Sequence, residues 1–478
     1  MAWDPAAYPS NWHKNDVRLP ALLRRNISPA SPDVINDAPM PGSDRLRSVW
    51  QSPNLRGGSL SVLDQGIVSA TNFLTTVMIG RWCGQDGLGI YFLAFNIVLL
   101  SRNIQYQLVA GPYTVFAHHR APGQRAMYDG STLVHQCVLA MVAAVTTLLS
   151  IRFLMPESDL ASGGMLLAVL TLTLPFILFR EFIRQVELAH LNLVSVVSID
   201  AVVAVVQLGG LLSLGWFAEV SVGRAFSLIG AGSLLAGIGW FVTRRPKFEF
   251  HVPEILADWR KNWSFGKWAL ASHLTGSSMP YLMPWITVVV RGEEETGMFA
   301  ACTTLIGLSN VVVLGIDSFL TARCAASFAS GGTAALKGIL WRFMVIFLVL
   351  IGFFCLAVIA IGGPLVQWLY GAQYAGAGPI MVLLAFSVLA RSMGIVAGAG
   401  IWAMHLPKAN LIADILTLVV AMAVTYFVVQ SHGVLGIAMA TLAGSLVGAI
   451  TRGTTTLYLL QRVTLEEADD AVALAANQ

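Results

Sequence analysis

Arg102 and Arg391 are the two residues whose surroundings are most at odds with their charge. Each stands inside a long apolar run, Arg102 in SRNIQYQLVAG (101–111) and Arg391 in LARSMG (389–394). An ionised side chain at the centre of a bilayer costs roughly 2.5–3.5 kcal/mol on insertion scales, so it normally faces a cavity or a partner. A guanidinium forms paired hydrogen bonds with phosphate oxygens, which makes either arginine a candidate anion-binding group. Gln105, near Arg102 in the most polar run centre of the chain, and Asn310 join them as candidate substrate-binding residues. Arg184 could guide a charged headgroup at the mouth of a cavity. The alternative for Arg102 is a structural ion pair with Asp64 or Asp200. Four carboxylates, Asp64, Asp317, Asp200 and Asp414, are candidates for ion coupling or gating. Pairing is the competing role: Asp64 with a nearby arginine, and Asp317 with Arg323. Arg180, Glu181, Arg184 and Glu187 fall at helical spacings of three and four and can pair along one helix. His118 and His119 have no further ligand at metal spacing, so no metal is expected. His135 and His273 read as satisfied core groups. No GxxxxGK[ST] run occurs, so ATP is not the expected direct driver, and no cofactor is expected.

The elements that must hold these groups follow from composition. Of 478 residues, 56% are hydrophobic and only 12% charged, about half the charged share of a soluble domain. Mean hydropathy is +0.70. So few charges cannot clothe a soluble protein of this size. A net charge of +3 argues against nucleic acid as a partner. Residues 1–58 hold eight of the 19 prolines and no long apolar run, and read as a disordered tail rather than a signal peptide. Twelve apolar spans follow, near 60–80, 89–114, 128–150, 163–182, 193–214, 223–243, 268–290, 297–320, 339–361, 378–402, 409–429 and 434–456. With the N-terminus inside, the inner segments carry 23 of the 29 Lys and Arg and the outer segments four. That skew obeys the positive-inside rule and places both termini in the cytoplasm.

The chain also repeats itself. IGRWCGQDGLGIYFLAF (79–95) resembles TVVVRGEEETGMFAACT (287–303), with Gly84 against Gly292, Gly89 against Gly297 and Tyr91 against Phe299. His190-Leu191 is echoed by His405-Leu406, Asp200 by Asp414, and Ala231-Gly232-Ser233-Leu234 by Ala443-Gly444-Ser445-Leu446. A repeat of six spans gives two halves of the same orientation, hence a pseudo-twofold along the membrane normal and a cavity between the halves. The expected fold is therefore an all-α integral membrane protein: twelve transmembrane helices in two six-helix lobes around a central cavity. Its parts are a cytoplasmic N-tail (1–58), an N-lobe (59–243), a cytoplasmic linker (244–267), a C-lobe (268–460) and a cytoplasmic C-tail (461–478). Repetition suits Asp200 and Asp414 to stabilising the lobes. Pro175, Pro280 and Pro284 can kink spans four and seven, and MPYLMP (279–284) makes span seven the bending element of a gate.

Several runs carry a family resemblance. They are DQGIVSATNFLTTVMIGRWCGQDGLGIYFLAF (64–95), REFIRQVELAH (180–190), WSFGKWALASHL (263–274) and PLVQWLYGAQYAGAGPIMVLLAFSVLARSMG (364–394). In these the chain resembles the polysaccharide and oligosaccharidyl-lipid flippases, the group of O-antigen flippases, within the superfamily that also holds multidrug extruders and lipid II flippases. The long proline-rich N-tail departs from that pattern. The resemblance implies a non-enzymatic transporter that moves lipid-linked oligosaccharide or polysaccharide precursors from the cytoplasmic to the outer leaflet. It also implies a cationic cavity, to which Arg102 and Arg391 would belong, and a cation-coupling carboxylate on the first helix, at Asp64. The implied partners are a lipid-linked glycan, membrane lipids, a coupling ion (H+ or Na+) and the polysaccharide synthesis machinery. The implied setting is the bacterial inner membrane, with a monomer as the working unit. A cation-coupled multidrug extruder of the same fold is the alternative. A membrane-embedded polymerase or ligase fits less well, because the longest outer loop, near 363–377, carries no charge.

Overall fold

The computed structural model describes residues 53–117, 120, 122–154, 163–217 and 219–476. The N-terminal tail up to residue 52 and the His118–His119 pair lie outside the described residues. The described residues are almost all helical, with no strand among them. Its helices are α1 (Pro53–Trp82), α2 (Gly84–Phe116), α3 (Pro122–Leu154), α4 (Gly163–Ala189), α5 (Leu193–Phe217) and α6 (Val222–Arg244). There follow α7 (Val252–Gly276), α8 (Met279–Gly307), α9 (Ser309–Tyr370), a 3-10 turn (Ala372–Tyr374), α10 (Ala377–Ala403) and α11 (Pro407–Ala476). All but α7 and α8, nine among the described residues, are long and apolar enough to cross a membrane. The polar C-tail is helical as far as it is described, α11 running on to Ala476.

These helices are patterned for lipid. On α5, Val196, Ile199, Asp200, Val203, Gln207 and Leu211 are buried, one stripe at helical spacing. Val202, Val205, Leu212 and Trp216 on the other face are exposed. The polar groups thus face protein and the large apolar ones face outward, since lipid tails leave a polar side chain no partner.

Two helices are far longer than a bilayer requires. α9 has 62 residues and α11 has 70, and at 1.5 Å per residue either would exceed a ~30 Å hydrocarbon core about threefold. Each is broken at glycine: α9 at Gly331 and Gly332 (φ 58, ψ −151), α11 at Gly433 (φ 53, ψ −133). α8 is broken likewise at Gly292 (φ 87, ψ −175). Such backbone suits a residue without a Cβ.

The backbone also carries the repeat. Gly84 (φ 76) and Gly292 (φ 87), 208 positions apart, are both left-handed turn residues. Leu191 (φ 56) and His405 (φ 61) are a second such pair. Their separation of 214 equals that of Asp200 and Asp414, so the match of His190-Leu191 to His405-Leu406 is one residue out of register. Where α2 meets α8 the contact is reciprocal. A Cβ on Gly89 would lie 2.1 Å from the Glu293 carbonyl oxygen, and one on Gly297 would lie 1.9 Å from that of Gln85. Residue i touching j′ while j touches i′ is the signature of a twofold contact.

The run 244–267 is not a free linker. Residues 245–251 are irregular, and from Val252 the chain is α7, which continues to Gly276. Residues 268–276, expected at the start of a span, belong to this helix. The bend falls at Ser277 and Ser278, and Pro280 occupies the first turn of α8, where its missing N–H costs nothing.

Candidate functional site

The polar centre of α2 is built around an irregular turn. Pro112 has no N–H and its ring would strike the carbonyl four residues back, so the helix cannot run regularly through it. The strain is absorbed in a π-helical turn at Tyr106–Ala110, closed by the Gly111 N–H donating to the Tyr106 carbonyl. Such turns are frequent at functional positions. The turn directly follows Arg102–Gln105, the most polar stretch of the helix.

Arg102 does not pair with Asp64 or Asp200. It forms a 2.9 Å ion pair with Glu181 of α4. Glu181 also lies 3.6 Å from Arg180 and 3.7 Å from Arg184. Arg184 in turn donates to Asp200 of α5 at 2.6 Å and to Asp64 of α1, and Arg180 donates to Asp200. Three arginines and three carboxylates from four helices therefore form one neutral network. Asp64, Glu181 and Asp200 are buried. Arg102 is the most accessible of the three arginines, its side chain 28% exposed against 12% and 13% for Arg180 and Arg184.

Two hollows flank the network. One of about 240 Å³ is lined by Arg102, Asn103, Gln105, Tyr106, Glu181 and Arg184, among others. A smaller one, about 50 Å³, has Asn72, Arg102, Arg180, Asp200, Gln207 and Ser233 in its wall. Arg102 is common to both. Gln105 spends its amide on the Leu178 carbonyl (2.9 Å) and is itself buried. Asn96 donates to the Pro280 carbonyl (3.2 Å), an acceptor freed because Pro284, four residues on, has no N–H to offer it.

The expected pairing along α4 is only part of the story. Glu187 accepts from Trp240 (2.8 Å) and Arg244 (3.0 Å) of α6 and from Asn192, not from Arg184. Sequence reasoning missed Glu181 as the partner of Arg102 because it sits beside two arginines of its own helix.

The second half is built differently. Asp414 of α11 pairs with Arg452, farther along the same element beyond the Gly433 break. At the Asp200–Asp414 separation of 214, the places of Arg180 and Arg184 are taken by Gly394 and Gly398. A Cβ on Gly398 would touch the Arg452 side chain at 3.3 Å. An arginine from a different helix thus fills the space that Arg184 fills in the first half. Arg391 of α10 donates to Asn310, which opens α9 just after the turn at Leu308. Among the described residues Arg391 has no carboxylate partner. It is exposed on a helix most of whose residues are buried. Asp317 makes no ion pair among the described residues; Arg323 lies over the Phe319 ring at 5.6 Å instead of meeting it. Four of the basic residues counted as inner, Arg180, Arg184, Arg244 and Arg452, lie within helices and pair with carboxylates.

No metal-ligand cluster occurs among the described residues. His135 binds the Ile255 carbonyl (2.9 Å) through one ring nitrogen, while the Nε2 of His273 is buried and has no hydrogen-bond partner among the described residues.

With this geometry more than four fifths of the chain aligns to known structures. An inward-facing multidrug-resistance MATE-family transporter of the MOP superfamily matches 82% of this chain and 94% of its own, at TM-score 0.66 and 16% identity. Lipid II flippase MurJ in an inward-closed conformation matches 85% and 92%, at TM-score 0.66 and 10% identity. The chain has the fold of the MOP superfamily. A MOP-superfamily transporter from Pyrococcus furiosus, described as having a binding pocket of reversed polarity that suggests a different function, matches 86% of this chain and 96% of its own at TM-score 0.59 and 14% identity. No family model and no curated protein sequence matches the chain. At these identities the likeness to MOP-fold structures is one of fold.

Proposed function

We propose that this chain is a membrane transporter that flips lipid-linked oligosaccharide or polysaccharide precursors from the cytoplasmic to the outer leaflet by alternating access. With α1–α6 as six crossings, the second half also counts as six when α7 and the start of α8 form one crossing ending at Gly292, residues 293–330 form the next, and α9 and α11 are divided at Gly331–Gly332 and Gly433. The reciprocal Gly89–Gly297 contact supports reading these as two six-crossing lobes. The observation that carries the reading is Arg391: a guanidinium on a largely buried helix, held by the neutral side chain of Asn310 and opposed by no carboxylate among the described residues. Such a group suits a phosphate or diphosphate, whose oxygens would supply the missing anion. Arg102 lends a second, conditional cation, because a substrate phosphate can replace Glu181 on its accessible side. Asp64 and Asp200 serve the network as arginine partners; any coupling to H+ or Na+ runs through breaking those pairs. The sites are non-enzymatic, and the setting is a bacterial inner membrane with both termini cytoplasmic.

The neutrality of the first-half network favours one other reading. A cation-coupled extruder of amphipathic compounds would use the same carboxylates to accept ions. Replacing Arg391 with alanine separates the two. The expected result is loss of glycan export in cells whose own flippase is deleted, with drug resistance unchanged. Unchanged export together with lost drug resistance would assign the chain to extrusion.

A further inference from the structure

Asp200 and Asp414 stand 214 positions apart in the two halves, and each meets a guanidinium. The arginines come from different places. Arg184, 16 residues before Asp200 on the preceding helix, serves the first half. Arg452, 38 residues after Asp414, serves the second. The position that matches Arg184 is Gly398. What recurs is the positive charge at the aspartate, not the residue that carries it.

The surroundings in each half are those of a cation. Arg184 lies 2.6 Å from Asp200, 2.5 Å from Asp64 and 3.7 Å from Glu181, carboxylates of three helices. The hollow of about 50 Å³ beside Asp200 has the oxygen-bearing Thr71, Asn72, Gln207 and Ser233 in its wall. In the second half Arg452 donates to Asp414 and, at 3.5 Å, to the Gly448 carbonyl. Two glycines clear its place. A Cβ on Gly398 would lie 3.1 Å from the Asn410 Oδ1 and 3.3 Å from Arg452; one on Gly448 would lie 2.3 Å from the Thr417 Oγ1 and 3.1 Å from Arg452. The Asn410 Oδ1 is buried and has no hydrogen-bond partner among the described residues. Carboxylate, carbonyl, amide and hydroxyl oxygens gathered around one position are the ligand set of a hard cation. Here that position is filled from within the chain.

We infer that Arg184 and Arg452 are tethered cations, one in each half, standing where a mobile cation such as Na+ would otherwise bind. A carboxylate inside a bilayer needs a counter-charge. An arginine of the same chain supplies it at a high effective concentration, which a free ion must overcome. The guanidinium is also permanently charged and shaped to grip carboxylate oxygens. Asp64, Glu181, Asp200 and Asp414 are thereby closed to Na+, and the ion pairs that a change of conformation must break or keep are built into the chain. The assignment holds whichever substrate is carried.

The test is thermal unfolding of the full chain in detergent, with Na+ exchanged for choline at constant ionic strength. The unaltered chain should unfold within about 1 °C of the same temperature in either salt. R452A should unfold lower in choline and recover saturably, by about 3 °C or more, in Na+ or in millimolar methylguanidinium. R452A/D414N should lose that recovery, and R184A should respond as R452A does. A merely structural arginine would leave variants indifferent to which cation is added. A saturable Na+ shift in the unaltered chain overturns the assignment, whether or not the variants fold. So does a folded R452A or R184A that gains no more from either cation than the unaltered chain. No transport is read, so the result stands apart from the flippase assay.

Discussion

At the residue scale the governing fact is that a buried charge is stable only with its partner. Arg102, Arg180 and Arg184 against Asp64, Glu181 and Asp200 sum to zero, and removing one member leaves an uncompensated charge in a medium that cannot solvate it. Glu181→Gln is therefore expected to destabilise the protein in detergent by about 3 kcal/mol. R102M/E181Q should recover part of that loss. Thermal unfolding of the three variants measures the coupling, and additive losses would show that the 2.9 Å pair contributes nothing. Gly398→Leu should be as damaging as Asp414→Asn, because the larger side chain needs the space that Arg452 occupies. How much of this was legible is plain from the arginines. Arg102 and Arg391 announced themselves as charges in apolar runs. Their partners did not, because a carboxylate next to two arginines on one helix looks self-satisfied until neighbouring helices are in place.

At the element scale the close approaches are made by backbone, so glycine decides them. Gly89 and Gly297 let α2 and α8 meet carbonyl to Cα, and a side chain at either would need about 1 Å of separation or more. Gly89→Val is expected to open that end of the bundle. Cys83 beside it, whose thiol now points to the Val220 carbonyl at 3.5 Å, should then react faster with a bulky impermeant maleimide; an unchanged rate would mean that the contact holds nothing closed. Tyr374, the neighbouring loop residue, donates to the Gly80 and Gly84 carbonyls at 3.4 and 3.3 Å. Burial pushes its hydroxyl pKa up, so it remains a donor. At the other end, α7 is bolted to α3 by the Arg120–Asp258 and Tyr128–Asn262 pairs. Asp258→Asn with Tyr128→Phe should loosen α7, seen as faster amide exchange in 252–266 with α4 and α5 unaffected. The π turn before Pro112 was not anticipated: a proline in an apolar run signals a kink, but where the slack goes depends on what the freed carbonyls meet.

At the scale of the whole molecule the repeat is the organising fact. Turn glycines recur 208 positions apart and the Leu191 and His405 turns 214 apart, while the chemistry has diverged between them. The first half sets its arginines on α4, the second sets Arg452 beyond the Gly433 break. The twelve crossings proposed here predict that a reporter active only outside the cytoplasm works when fused after Gly433 and fails when fused after Gly332; two active fusions would break the count.

Composition and hydropathy alone were enough to make this a chain of apolar helices, because a bilayer demands long runs of apolar residues and tolerates few charges. They also exposed the repeat, since turn glycines and polar positions must recur where two copies of one unit fold alike. Only the tertiary structure decided who pairs with whom: that Arg102 belongs to Glu181, that Arg391 meets Asn310 and no carboxylate among the described residues, and that 252–276 is one helix. Those outcomes depend on distances between helices far apart in the chain, and no spacing along one helix encodes them.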